Sequence, residues 1–148
     1  GLKVDVETRI PIAYGERILN DEKILGFIDK EGIFINNQNV DEKNLNNLTI
    51  QVFGWKEKFK EILSEIFVAQ DYYEFEIIKI TFSPNGFLTI EEKDLKTIFL
   101  GFNQDLINSQ LQIINRLKNE FKENYFSEKI DSIDLTNPNK PKIKVFKP

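Results

Sequence analysis

The feature that most constrains the fold is the end of the chain, where two alternating segments flank a turn. Residues 131–146 have the sequence DSIDLTNPNKPKIKVF, in which apolar side chains alternate with polar or charged ones on both sides of NPNKP. Alternation with a period of two is typical of a strand with one buried face, and Asn and Pro are turn residues. The sequence therefore predicts a strand, a turn and a final strand. A strand that closes a chain often lies at a sheet edge, where unpaired backbone groups can template pairing with another polypeptide.

The preceding segments predict a strand-rich domain with two helices. Apolar runs bounded by turn residues predict strands at 2–7, 24–29, 33–35, 48–53, 73–82, 87–91 and 95–100, and the first of these ends before Pro11 because proline lacks a backbone donor. Apolar residues at helical spacing predict one helix over 55–70 and a second that Asn103 caps. Short hairpin turns favour antiparallel pairing. We expect an α+β domain with a mostly antiparallel sheet, two helices packed on one face and an edge strand at the C-terminus.

The composition narrows the chemistry that the chain can support. Its 148 residues can bury a sizeable core, and they include no His and no Cys. An imidazole base and a thiolate nucleophile are therefore excluded, and a metal could be held only by carboxylate, carbonyl or amide oxygens. The net charge is −4, with acids and bases interspersed. Because phosphate backbones require a basic patch, nucleic acid is not an expected partner. We expect no catalytic, cofactor-binding or metal-binding residues.

Four local sequences, taken in order, resemble those of the FtsQ/DivIB family of bacterial cell-division proteins. They are LKVDVETRIPIA at 2–13, FIDKEGIF at 27–34, FLG at 99–101 and IDLTNP at 133–138. The first resembles the E-R-x-P-V-A junction between a POTRA domain and the β domain, although Thr8 separates the Glu and the Arg in this chain. The last resembles the I-D-L-x-N-P ending of cyanobacterial members. The resemblance covers nearly the whole chain.

The resemblance implies a domain organisation and a location. Residues 1–10 would be the last strand of a truncated POTRA domain, and residues 11–148 the FtsQ/DivIB-type β domain. The full-length protein would be anchored in the cytoplasmic (inner) membrane by a single span upstream of Gly1. Its β domain would lie on the extracytoplasmic, periplasmic side at the division septum. Family members are scaffolds of the divisome rather than enzymes, and they recruit FtsB/DivIC-like and FtsL-like partners.

The resemblance also implies a binding site at the final strand, to which the FtsB-type partner adds a strand of its own. Carried onto this sequence, the site comprises Asn137 in the turn together with Lys142, Ile143, Lys144, Val145 and Phe146. Well-known members have an aromatic residue where Asn137 stands, and an indole near the end of the strand, where Phe146 is the nearest aromatic.

Other interpretations of these residues compete with the family assignment. The final strand could simply pack, with its lysines preventing aggregation, since edge lysines repel wrong partners and attract an acidic one. A POTRA-associated domain of an outer-membrane assembly or secretion system would also bind peptides by strand addition. A carboxylate enzyme at Asp131 and Asp134 is disfavoured, because residues i and i+3 of a strand point to opposite faces. We expect Asp134 to brace the turn instead.

Three further segments have both a structural and a binding interpretation. Asp29 and Glu31 flank a hairpin glycine, where turn chemistry is favoured over a calcium loop because the oxygen ligands are too few. Trp55 begins a helical apolar face, so we expect it in the core rather than as a surface anchor. The sequence DYYEFE at 71–76 is either an exposed aromatic surface or, as we expect, a helix-to-strand connection with one tyrosine buried.

Overall fold

The computed structural model describes residues 9–40, 45, 47–124 and 129–146. Helix α1 (Lys60–Tyr73) and helix α2 (Ile107–Asn124) are the two α-helices of this part of the chain. Its strands are β1 (Pro11–Leu19), β2 (Glu22–Asp29), β3 (Phe34–Asn36), β4 (Ile50–Phe53), β5 (Ile77–Phe82), β6 (Leu88–Glu92), β7 (Lys96–Gly101), β8 (Ile130–Asp134) and β9 (Lys142–Val145).

All nine strands form one sheet in the order β3-β2-β1-β4-β5-β6-β7-β8-β9. The pairs β1·β4, β4·β5 and β7·β8 are parallel, and the other five pairs are antiparallel. Parallel neighbours require a crossover connection, which α1 supplies between β4 and β5 and α2 supplies between β7 and β8. The predicted α+β class with a mostly antiparallel sheet is confirmed.

The core lies between the two helices and one face of the sheet. Buried apolar side chains from both helices and from alternate strand positions form a single cluster, which includes Leu63, Ile66 and Ile114 of the helices. Both helices therefore cover the same face. Within the described residues, no helix is long and apolar enough to cross a membrane.

The structure contains one strand, β1, that the sequence did not predict, and it moves the boundaries of several other elements. The helix predicted from residue 55, for example, begins only at Lys60. Strand β1 begins at Pro11, where the pattern had predicted the end of a strand, while the predicted strand at 2–7 lies outside the described residues. Proline is tolerated at the first position of a strand because no ladder donor is needed there. The strand predicted from residue 73 begins only at Ile77, since α1 continues to Tyr73 and Glu74 closes it with a φ of 60°.

Several local predictions are confirmed by hydrogen bonds and burial. Trp55 lies in the core and donates from Nε1 to the Gly32 carbonyl at 2.8 Å. Asp29 Oδ1 accepts from the Glu31 and Ile33 amides at 2.9 and 3.0 Å, which is turn chemistry. Asn103 accepts from the Asp105 amide ahead of α2.

The segment 71–76 is the connection between α1 and β5, as expected. The buried aromatic residue is Phe75, whereas Tyr73 is only half-buried and Tyr72 is exposed, so the expectation of a buried tyrosine is wrong. The segment therefore both joins a helix to a strand and leaves one aromatic side chain on the surface.

Candidate functional site at the C-terminal sheet edge

Strand β9 is an edge strand whose four side chains are all exposed. It pairs antiparallel with β8, and among the described strands none pairs with its outer side. Four of the predicted binding residues, Lys142 to Val145, form this strand and Phe146 follows it immediately, whereas Asn137 lies in the turn before it. The alternating pattern thus located the last strand correctly, and the structure places it at the end of the sheet.

The backbone groups of β9 that face away from the sheet can be identified from its hydrogen bonds. Val145 lies opposite Ile130, and the Phe146 amide donates to the Lys129 carbonyl at 2.8 Å. This bond joins the residue after Val145 to the residue before Ile130, so Ile130 and Val145 form a non-hydrogen-bonded pair. In such a pair, the backbone N–H and C=O of each residue point away from the partner strand. The N–H and C=O of Val145 therefore face outward.

Alternation along the strand assigns the remaining groups. Ile143, two positions before Val145, also turns its backbone groups outward, whereas those of Lys144 turn toward β8. The register shift between Ile130 and Ser132 inserts its extra residue in β8, so the alternation of β9 is unbroken. The edge thus offers two outward backbone donors and two outward acceptors.

An apolar row crosses the sheet and ends uncovered at this edge. Its members lie side by side on successive strands on the helix-covered face, and they are Val52, Ile80, Ile90, Ile98, Ile133 and Ile143. The first five are buried, but Ile143 is 42% exposed and Val145, on the same face, is 50% exposed. The sheet therefore continues its apolar face one strand further than the core covers it.

The opposite face of β9 is basic. Lys144 Nζ lies 3.8 Å from Asp131 Oδ2, with both side chains substantially exposed, and Lys142 lies opposite Asp134. An exposed ion pair at this distance contributes little to stability and leaves the lysine accessible to a competing carboxylate. A strand added at this edge would meet isoleucine and valine on one face and lysines on the other.

The turn that leads into β9 is organised by Asp134 and Asn137. Asp134 Oδ1 accepts from the Thr136 amide at 2.9 Å and from Thr136 Oγ1 at 2.6 Å, so Asp134 braces the turn as expected. Asn137 Oδ1 accepts from the Asn139 amide at 3.0 Å. Asn137 therefore lies in the turn before the strand, and its side-chain oxygen accepts a hydrogen bond within that turn.

Asp131 pairs with Lys144 and Asp134 lies opposite Lys142, so both are on the lysine face of the sheet. The prediction that they point to opposite faces is wrong, because the extra residue of β8 shifts the alternation between Ile130 and Ser132.

Gln110 is a residue of this region that sequence reasoning missed. It lies buried on α2 and donates from Nε2 to the carbonyls of Leu100 and Leu135, at 2.8 and 2.9 Å. Leu135 also donates its amide to the Phe99 carbonyl at 2.8 Å. These bonds attach the chain after β8 to α2 and β7. The one sequence signal for a buried polar residue here was that Gln110 lies next to Leu111, near the start of the apolar face of the second helix.

Asp134 gives a pH-dependent prediction for the turn. The hydrogen bonds from Thr136, first the side-chain bond and then the backbone one, hold the pKa of Asp134 below its ordinary value. A carboxyl with a lowered folded pKa stabilises above its unfolded pKa, and that stability is lost as the pH falls through the folded pKa. We expect Asp134→Asn to lower the free energy of unfolding by less than about 1 kcal/mol near neutral pH, because the site is partly exposed.

Denaturant unfolding of the wild type and the Asp134→Asn variant at neutral and acidic pH measures this effect. The difference between them should shrink as the carboxyl protonates. A difference that stayed constant over that range would show that the ionised form of Asp134 does not stabilise the turn.

Three of the four segments that carry the family resemblance lie at defined places in the fold, whereas residues 2–8 of the first segment lie outside the described residues. Residues 27–34 form the β2–β3 hairpin, residues 99–101 end β7, and residues 133–138 end β8 and enter the turn. No family model matches the chain, and no curated protein matches it. The geometry of the β9 edge and these segments are therefore the grounds on which a function is inferred.

Proposed function

We propose that this domain is a non-catalytic scaffold that binds another polypeptide by strand addition to the outer side of β9. The observation that carries the proposal is the uncovered end of the apolar row, at Ile143, on a strand with outward backbone groups. In strand addition, main-chain hydrogen bonds supply affinity and alternate side chains supply register and specificity. The β9 edge offers both, and its lysines favour an acidic partner.

The biological setting that we propose is the bacterial divisome. The resemblance of four ordered segments to FtsQ/DivIB proteins supports a domain on the extracytoplasmic side of the cytoplasmic membrane, at the septum. Its partners would be FtsB/DivIC-like and FtsL-like proteins, and the added strand would come from the FtsB-type partner. A membrane span upstream of Gly1 would anchor the full-length protein.

The partner strand has a chemistry that the edge defines. Residues that lie beside Ile143 and Val145 should be apolar, since they would extend the sheet face that the core leaves uncovered. Residues beside Lys142 and Lys144 should be acidic or polar. An alternating apolar and acidic segment of about four to six residues therefore fits the edge.

A titration of the isotope-labelled domain tests the proposal. The extracytoplasmic segments of the FtsB-like and FtsL-like proteins of the same genome are added separately, and backbone amide shifts are followed. We expect the largest shifts at Ile143 and Val145, with little change at Ile35, whose strand forms the opposite edge. Absence of shifts at near-millimolar peptide, or shifts centred away from β9, would rule out this edge as the binding surface.

The sequence upstream of Gly1 would distinguish the divisome proposal from the alternative, an outer-membrane assembly or secretion system. One apolar span followed by one POTRA-length segment supports the divisome proposal. A cleaved signal followed by tandem POTRA repeats supports the transport alternative, which keeps strand addition at β9 but changes the partner.

A further inference from the structure

Helix α1 has an uncovered apolar ridge on the side that faces away from the sheet. Val68 is 65% exposed and Tyr72 is 79% exposed, and four residues of separation place both on one side of the helix. The neighbouring Ala69 is buried against the core. The ridge therefore stands above a well-packed helix rather than at a frayed end.

Two grooves flank this ridge. One, of about 400 Å³, lies between α1 and α2 and is lined by residues that include Ser64, Tyr73 and Leu111. The other, of about 460 Å³, lies between α1 and the start of β1 and is lined by Ile12 and Phe67 among others. Val68 lines both grooves. A ridge between two grooves is the surface onto which a second helix packs, because its side chains can enter on either side.

The charges around the ridge have one predominant sign. Glu61, Glu65 and Asp71 are exposed on α1, and none of the three forms an ion pair with a described residue. Lys60, by contrast, pairs with Glu57 at 2.9 Å. Two cations lie nearby, since Lys60 also attracts Glu61 and Lys30 lines the second groove with Asp71. The carboxylates still outnumber them, so the outer side of α1 is negative and Glu65 is available to an incoming cation.

We propose that this α1 surface, formed by Glu61, Glu65, Val68, Asp71 and Tyr72, docks a basic amphipathic helix of a partner protein. Apolar residues of that helix cover Val68 and Tyr72, and its Lys or Arg residues meet the three carboxylates. A second copy of this chain does not fit, because the same carboxylates would face one another. An anionic membrane surface is disfavoured for the same reason.

The α1 surface is separate from the β9 edge and does not depend on the function proposed for it. In the chain α1 connects β4 and β5, and in the sheet order β5 is four strands from β9. At about 4.8 Å between strands, that separation is roughly 19 Å. Both surfaces can therefore be occupied together.

A defined synthetic helix tests the proposal on the whole domain. The probe is a blocked peptide of about 14 residues, matched to α1 in length, with leucines at helical spacing and lysines elsewhere. Two controls are its glutamate counterpart and a scrambled lysine peptide of equal charge. We expect the lysine helix alone to bind, with the largest amide shifts at Glu65, Val68 and Tyr72.

Matched variants separate docking from general attraction to an acidic protein. Glu65→Lys should weaken binding at least about fivefold, whereas Glu22→Lys, which changes the net charge equally at the exposed tip of the β1–β2 hairpin, should stay within about twofold. Val68→Ser should weaken binding about tenfold and Val68→Ile should preserve it. Equal losses for both charge variants, equal binding of the scrambled peptide, or no binding at about 1 mM would each overturn the proposal.

Discussion

Val145→Pro is expected to remove strand addition at β9 while the domain stays folded. The Val145 N–H points away from β8, so proline at this position breaks no hydrogen bond of the sheet. It removes one of the donors that an added strand needs, and its ring obstructs close approach. We expect the dissociation constant of the partner segment to rise roughly tenfold to a hundredfold, corresponding to about 1–3 kcal/mol. The Ile143→Pro variant should behave alike.

The neighbouring position provides the matched control. The Lys144 backbone turns toward β8, so Lys144→Pro should break the β8·β9 ladder and lower stability as well as binding. Val145→Thr keeps the donor and the β-branched shape, and should retain most of the affinity. Thermal unfolding and calorimetric titration of the variants measure the two effects separately. Unchanged binding by folded Val145→Pro and Ile143→Pro proteins would show that the partner does not pair with this edge.

The strands that the sequence predicted well are those in which local pattern and tertiary environment agree. Alternation in 131–146 located β8, the turn and β9 because one face of β8 is buried and the turn carries Asn and Pro. Strand β1 was missed because Pro11 opens it and Gly15 interrupts its alternation. Its pairing with β2 is local, through the two-residue turn Asn20-Asp21 in which both residues have positive φ, and that turn was an available signal. Its parallel pairing with β4 is a distant interaction that no short window contains.

At the candidate site, the sequence predicted which residue types are present but not how they are exposed or oriented. The sequence identified apolar and basic residues in the last strand, yet the exposure of Ile143 depends on how far the helices cover the sheet. The outward direction of the Val145 amide depends on the register of β8, including its extra residue. Neither property can be derived from composition or periodicity. The same holds for Gln110, whose two acceptors lie ten and 25 residues away.

Glu92→Ala is expected to be strongly destabilising, because one buried carboxylate joins three segments. Glu92, at the end of β6, is 1% exposed. Its Oε1 accepts from the Asp94 and Leu95 amides at 2.7 and 3.1 Å. Its Oε2 accepts from the Glu76 amide at 2.9 Å and from Lys118 Nζ on α2. Truncation leaves a largely buried ammonium and three backbone donors without this acceptor.

The expected loss for Glu92→Ala is about 3–5 kcal/mol of unfolding free energy. Burial by itself would raise the pKa of Glu92, but the hydrogen bond from Lys118 and those from the three amides together hold it below its ordinary value. The stabilisation is therefore present above the unfolded pKa and is lost as the pH falls through the folded pKa. Glu92→Gln should lose the charge and this pH dependence while keeping one amide acceptor.

Glu76→Ala is the matched control, because Glu76 forms an exposed ion pair with Lys93 at 3.2 Å near the same hairpin. Exposed pairs contribute less than about 1 kcal/mol, so this variant should unfold nearly as the wild type does. Denaturant titrations across the acidic range compare the three variants with the parent. If Glu92→Ala cost no more than Glu76→Ala, the buried contact with Lys118 would not be a major link between α2 and the sheet. A large loss for Glu92→Ala that vanished in acid would identify the ionised carboxylate as that link.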